Sequence, residues 1–295
     1  MKQKRIYRQD ISRLRTQVSN MLTNKYFNLW MDSFEFEGIS PEQSDYLMKQ
    51  FWAVGSIAAF KIKHLDEVGF APYAVQRYNM YDFPEEVILI NKRNIPLIPS
   101  GVKVVQKDVI LGWIQPNHKP IMDIVNHYIE RITSVEMVIN TNLQLSKMPF
   151  GVGISPEDKE KAMDIVDRIL NDEVVVFMDF QSLNMVQSLT TNTPYIIDKL
   201  YSYKVSLENE LLTYLGLDNS GTTSNSHEQR MLVDEVNSNN AVINANQESF
   251  QKNIENFLDA IEEILGIKIT VQPAHKPVAS VHEEPERERE AEEDV

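Results

Sequence analysis

The stretch that most limits what this chain can fold into runs over residues 193–265, where two helical segments flank a polar tether. The first, TPYIIDKLYSYKVSLENELLTYLG, places Pro194 at N1 and carries Ile197, Leu200, Leu207, Leu211 and Tyr214 on one stripe, with Val205 beside it. Gly216 is positioned to end it as a C′ residue. The tether over 218–229 contains Gly221, several Ser and Thr and no large apolar side chain, which predicts a mobile segment. The second helical segment begins near Arg230, with Met231, Val236, Ile243, Phe250, Ile254, Phe257, Ile261 and Leu265 as its stripe and Gly266 as its cap. Asn237-Ser238-Asn239-Asn240 interrupts that stripe, and these poor helix formers predict a bend or local break. Two helices on a loose tether either close on each other or pack against neighbouring copies of the chain. The expectation is that they pack against neighbouring copies.

The rest of the chain divides by texture. Residues 5–24 have spaced apolar positions (Ile6, Ile11, Leu14, Val18, Leu22) consistent with an amphipathic helix, followed by the aromatic run Tyr26, Phe27, Trp30, Phe34 and Phe36. Ser40-Pro41-Glu42 reads as an N-cap and N1 proline opening a helix that carries Tyr46, Leu47, Phe51, Trp52 and Val54 toward a core. The aromatics are read as packing rather than as a base-stacking platform. Between 66 and 114, β-prone runs at 86–90, 102–105 and 109–113, separated by Pro84, Pro96, Pro99, Gly101 and Asp108, predict a small antiparallel sheet. Residues 121–146 form a strong helical pattern with Ile121, Val125, Tyr128, Ile132, Val135, Ile139 and Leu143 on one stripe. A strand at 150–154, a helix opening at Ser155-Pro156 and reaching about 170, and a strand at 174–178 predict a compact α+β insert between two long helices. A last strand is expected at 267–271. The overall class is mainly α with small α+β parts.

Composition narrows the function. The 295 residues suffice for one large or two small domains, and no apolar run approaches the roughly 20 residues of a membrane span. No membrane partner is expected. Net charge is −14, unevenly spread: Lys2, Lys4, Arg5, Arg8, Arg13 and Arg15 make a basic start, whereas residues 283–295 hold eight acids against two arginines. The basic start is either an arm that touches nucleic acid or another acidic surface, or a solvated terminus. The acidic tail, residues 273–295, is expected to be disordered. The absence of cysteine excludes disulfides, thiolate zinc sites and cysteine nucleophiles. No phosphate-cradling GxxxxGK[ST] occurs, Gly151-Val152-Gly153 is too short for a dinucleotide loop, and the six histidines have no ligand spacing. Asp158, Asp164, Asp167, Asp172 and Asp179 are scattered like solvated acids rather than converging as a metal nuclease requires. The expectation is therefore no enzyme, no cofactor and no metal. A helical scaffold or adaptor without a DNA channel remains the alternative class.

Several runs resemble a known family. TPYIIDKL at 193–200, ELLTYLGL at 210–217 and RMLVDEVNSN at 230–239 closely resemble the upper collar proteins of small short-tailed bacteriophages, also called portal or head–tail connector proteins. FEFEGI at 34–39, the 50–55 region and the Lys4-Arg5 start are similar to the same family. The resemblance implies the portal fold assembled as a dodecameric ring at one capsid vertex, with a central channel for double-stranded DNA. It also implies a division of labour. Residues 1–119 would be the N-terminal arm and wing, 120–146 the first stem helix and 147–192 the clip that binds the lower collar or tail protein. Residues 193–216 would be the second stem helix, 217–229 the channel loop and 230–272 a long wing helix and strand. The implied partners are sister subunits, the duplex, the major capsid protein, the tail and an external packaging ATPase. The implied location is the virion head–tail junction, after assembly in the host cytoplasm.

Specific residues follow from the resemblance. Lys199 and Lys204 match lysines at the same spacing in the family's second stem helix and are candidates for lining the channel. Five residues is roughly 140° of helical turn, so both cannot face one axis squarely. The channel loop would comprise Asp218, Asn219, Ser220, Gly221, Thr222, Thr223, Ser224, Asn225, Ser226, His227, Glu228 and Gln229. Lys2, Lys4, Arg5 and Arg8 would contact the capsid or nucleic acid. Duplex DNA carries one charge per roughly 1.7 Å, so a strongly basic bore would hold it fast, whereas subunits at −14 repel it on balance and let it slide.

Overall fold

Burial against the chain's own sheet and helices, not against a second copy, organises the long C-terminal helix. The computed structural model describes residues 2–62, 65, 67–91, 94–147, 151–152, 186–187, 196–219 and 233–274. In order these form α1 (Lys2–Met31), β1 (Phe34–Glu37), α2 (Pro41–Ala53), β2 (Ser56–Lys61), β3 (Val68–Ala71), β4 (Tyr73–Tyr78), β5 (Pro84–Leu89), β6 (Val102–Val104) and β7 (Ile110–Trp113). Then follow α3 (Ile121–Lys147), β8 (Gly151–Val152), β9 (Val186–Gln187), α4 (Ile197–Tyr214), α5 (Val233–Leu265) and β10 (Thr270–Pro273). The chain divides into one unit of Met1–Ser19 with Glu130–Leu207 and a second of Asn20–Ile129 with Glu208–Val295.

The second unit contains the larger core. At α2 the Ser40 Oγ accepts from the Gln43 N–H (3.3 Å), and the Gln43 Oε1 accepts from the Ser40 N–H (2.8 Å). This capping box satisfies two helix-end donors and, with Pro41, starts the helix where the sequence places it. The Gln43 amide also donates to the Val68 carbonyl at 2.8 Å, tying α2 to β3. The single sheet expected over 66–114 is two antiparallel three-stranded sheets, ordered β3-β2-β7 and β4-β5-β6. Strands β5, β6 and β7 correspond to the predicted runs; β2, β3 and β4 were not anticipated. Ile57, Ala58, Ala59 and Phe60 of β2 are all buried, so the strand shows no alternation of apolar and polar residues, and alanine has little strand preference. The sheets meet through Ala58, Phe60 and Ala71 on one side and Val87 and Leu89 on the other, closed by Val109 and Leu111.

The β2-β7 sheet carries α5 on its other face. A Cβ on Gly112 would lie 2.6 Å from the Phe257 ring, so only glycine lets helix and strand approach this closely. Phe257 also meets the rings of Phe51 and Phe70, both at 6.3 Å. Trp30, fully buried, lies 5.5 Å from Phe250 edge-on and 6.0 Å from Phe34, and its indole N–H donates to the Met48 carbonyl at 3.2 Å. One side chain thus joins α1, β1, α2 and α5, and its single donor is satisfied. Strands β1 and β10 pair antiparallel, Phe36 opposite Val271, so chain segments far apart in sequence close on each other.

Several expectations need correction. The first helix runs from Lys2 to Met31 and includes Tyr26 and Trp30, longer than the 5–24 expected. The asparagine-rich run 237–240 neither breaks nor ends α5, which continues through it for its full 33 residues. Ile243, Phe250, Ile254, Phe257, Ile261 and Leu265 are buried within this chain, as are Leu207 and Leu211 of α4, so these stripes do not await sister molecules. Leu143, placed on the α3 stripe, is 44% exposed, while the unassigned Ile129 is buried. The last strand is Thr270–Pro273 rather than 267–271. In the insert, β8 pairs with β9, Gly151 opposite Gln187, and β8 falls within the first predicted strand. The predicted helix to 170, the strand at 174–178 and the tail beyond 274 lie outside the described residues.

Trp30→Ala is expected to lower unfolding stability by about 3–5 kcal/mol, because the cavity would open between four elements. Chemical denaturation measures it; a loss below about 1 kcal/mol would contradict the placement of Trp30 at the centre of this core.

Candidate functional site

In the first unit, α3 from Glu130 onward and α4 up to Leu207 supply the residues the sequence singled out. Arg131 on α3 donates through Nη2 to the Tyr203 hydroxyl on α4 at 2.8 Å. Lys204 Nζ pairs with the Glu136 carboxylate and lies 5.9 Å from the Tyr201 ring centroid. Lys204 is half-buried and its charge is met by Glu136, whereas Lys199 is exposed. The two lysines therefore differ in kind: one ties α4 to α3, the other offers its charge to solvent. The same unit exposes Val138, Leu143, Tyr201 and Tyr203 on these helices, an apolar and aromatic surface that no charge argument had singled out.

The arm residues Lys2, Lys4, Arg5 and Arg8 fall on the first turns of α1, so their backbone is helical. Of the proposed loop, Asp218 is exposed, and Ser220 to Gln229 lie outside the described residues. Asn219 is not a mobile loop residue: it is 6% exposed and hydrogen-bonded to the end of α4. Polarity of the side chain suggested solvent; the fold instead provides it with amide and hydroxyl partners.

In the second unit, Lys25 pairs with Glu208 at 3.2 Å. Beside them burial, reinforced by the Glu208 carboxylate, drives the Tyr26 hydroxyl far above the usual phenol range. Burial likewise raises Tyr214, whose hydroxyl accepts from the Gln115 amide at 2.8 Å. The turn between β4 and β5 is built on Asn79, whose Oδ1 accepts from the N–H groups of Tyr81 and Phe83 at 2.9 and 3.0 Å. It presents Met80 (85% exposed) and Tyr81 (70%) to solvent. His118 lies against this turn, 6.1 Å from the Phe83 ring and stacked on Trp113 at 4.5 Å. Among the described residues no cluster of three or more His, Asp or Glu has the arrangement to hold a metal, and no helix is long and apolar enough to cross a membrane.

Comparison with known proteins identifies the class first. The solved structure described as "Portal and tail of native bacteriophage P68" is similar over 94% of this chain and 92% of that one, with a TM-score of 0.50 at 12% sequence identity. The fold is portal-like. The model of the family Phage Connector (GP10) matches residues 4–278, and the chain belongs to that family. It is a structural family rather than an enzymatic one.

Partial burial lowers the His118 pKa below its usual 6.5. A folded-state pKa below the unfolded one means that the unfolded chain binds more protons as pH falls beneath about 6.5. The contribution of neutral His118 is complete above that pH and is lost as pH drops through the lowered value. His118→Gln should therefore flatten the fall in Tm between pH 7 and pH 5, measured by thermal unfolding at several pH values; an unchanged profile would contradict it.

Proposed function

We propose that this protein is the portal subunit of a short-tailed bacteriophage: a dodecameric ring at the capsid vertex through which double-stranded DNA enters and leaves, and to which the tail attaches. The observation that carries this reading is the family match over residues 4–278, supported by a portal-like fold. Helix α3 coincides with the proposed first stem helix and α4 lies within the second, which supports the division into wing, stem and clip. Residues 147–192 between them are the proposed clip and tail-binding part. The capsid protein holds the wing, and a separate ATPase drives the duplex. The location is the virion head–tail junction, reached after assembly in the host cytoplasm.

In this reading Lys199 is the better channel residue. Lys204 spends its charge on Glu136, so Lys199 alone of the pair offers a weak positive point in a bore that otherwise repels the duplex. The exposed Val138, Leu143, Tyr201 and Tyr203 are the surface on which sister stems pack. Lys2, Lys4, Arg5 and Arg8, on a helix rather than a loose arm, contact the capsid or nucleic acid. The scaffold alternative loses support from the burial of the α5 stripe, because among the described residues no long apolar seam of α5 is left for a coiled-coil partner.

Negative-stain images of the purified protein should show closed annuli with a central hole as wide as a duplex. A monomer or a rod under assembling conditions would overturn the reading. Deleting residues 220–229 should leave rings intact while filled heads lose DNA; full genome retention in that mutant would remove the loop from the mechanism.

A further inference from the structure

The end of α4 is held to α5 in an unusual way. Gly216, with φ +69°, turns the chain back after the helix, and the Leu217 N–H donates to the Leu212 carbonyl at 2.9 Å. The turn lies directly on α5: a Cβ on Gly216 would come 2.7 Å from the Gln247 backbone nitrogen. Beyond it Asn219 Nδ2 donates to Thr213 Oγ1 at 3.0 Å and Thr213 Oγ1 donates to Asn239 Oδ1 at 3.4 Å. Asn239 Nδ2 donates back to Asn219 Oδ1 at 2.9 Å. These three side chains make a closed cycle in which each both donates and accepts. Asn246 Nδ2 adds a bond to the Thr213 carbonyl at 2.7 Å, beside the one that this carbonyl accepts from the Gly216 N–H at 3.1 Å.

We propose that Thr213, Asn219, Asn239 and Asn246 form an amide clasp that pins the end of α4 to α5 and makes Asn219 an anchored position rather than part of a loose tether. Apolar contacts would hold the helices together without direction. A cycle of hydrogen bonds allows one relative orientation, since an amide offers its donor and acceptor at fixed angles and removing one member strands the other two. The clasp also accounts for asparagines inside α5: residues that weaken a helix locally are retained because the other helix uses their side chains. Positions 219 and 239, far apart along the chain, are thus held side by side. The structural part of this proposal stands on the fold alone; its consequence for DNA retention rests on the channel-loop reading.

Native-state hydrogen exchange on the full-length protein tests it. Asn239→Asp keeps the side-chain size and an acceptor but removes the donor to Asn219, and Thr213→Val removes the hydroxyl shared by both bonds. Each should accelerate exchange at the Leu215, Gly216 and Leu217 amides about tenfold or more, while amides of residues 250–265 in α5 keep their protection. The double variant should cost less than the sum of the singles. Should Thr213→Val fail to fold, Asn246→Ala, which removes only the bond to the Thr213 carbonyl, should accelerate the same amides. Unchanged exchange at 215–217, or equal acceleration throughout α5, would overturn the clasp. Clasp variants with the expected exchange that package and retain DNA normally would count against the channel-loop reading and leave the clasp standing.

Discussion

The contact between α5 and strand β7 is the constraint on which the second unit depends. Gly112 has no side chain, and the Phe257 ring occupies the space a Cβ would fill. That approach brings the apolar stripe of α5 onto the sheet, and a turn or two away Phe250 reaches the Trp30 ring. From there the remaining elements are placed by contact with something already fixed. Helix α2 lies under Trp30 through Met48, β1 lies beside it through Phe34, and β10 closes on β1. Burying large aromatic and aliphatic groups is worth about 1.5–3 kcal/mol each, so this cluster outweighs the cost of the asparagines that α5 carries near its start.

Polar contacts do a different job. The ion pairs Lys25–Glu208 and Arg77–Glu86 are partly exposed and contribute little stability. The bonds among Thr213, Asn219, Asn239 and Asn246 set direction at a helix junction, and Lys204 with Glu136 and Arg131 with Tyr203 set it between α3 and α4. Apolar area holds the elements together, and polar groups at their ends determine the orientation in which they meet. In the ring proposed above, orientation of this kind would matter, because an error in helix direction within one copy recurs in every copy.

Legibility in the sequence varied with the kind of signal. Helices α2, α3 and α4 were readable because Ser40-Pro41, the regular stripe from Ile121 and the terminal Gly216 are local signals. Strands β2 and β3 were missed because they are buried on both faces and contain Ala58, Ala59 and Gly69, which hides a period of two. The continuity of α5 through 237–240 was missed in part because the partners of Asn239, Thr213 and Asn219, lie in another segment. Of the candidate site, the sequence indicated Lys199 and Lys204 as a pair and could not separate them; Glu136, 68 residues away, does so. The aromatic turn at Met80 and Tyr81 looked like a loop, and its exposure is known only from the way Asn79 folds it.

By itself the sequence determined that long helices exist, the caps at Ser40, Gly216 and Gly266, the uneven charge and the family, because capping, periodicity and composition are properties of neighbours along the chain. Tertiary structure alone decided which stripes are spent inside the chain, which lysine keeps its charge for solvent, and that Asn219 is an anchor rather than part of a loose tether. The physical reason is the same in each case: burial and pairing depend on groups brought close by folding, and a stripe or a charge looks alike in the sequence whether its partner is a distant residue or another molecule.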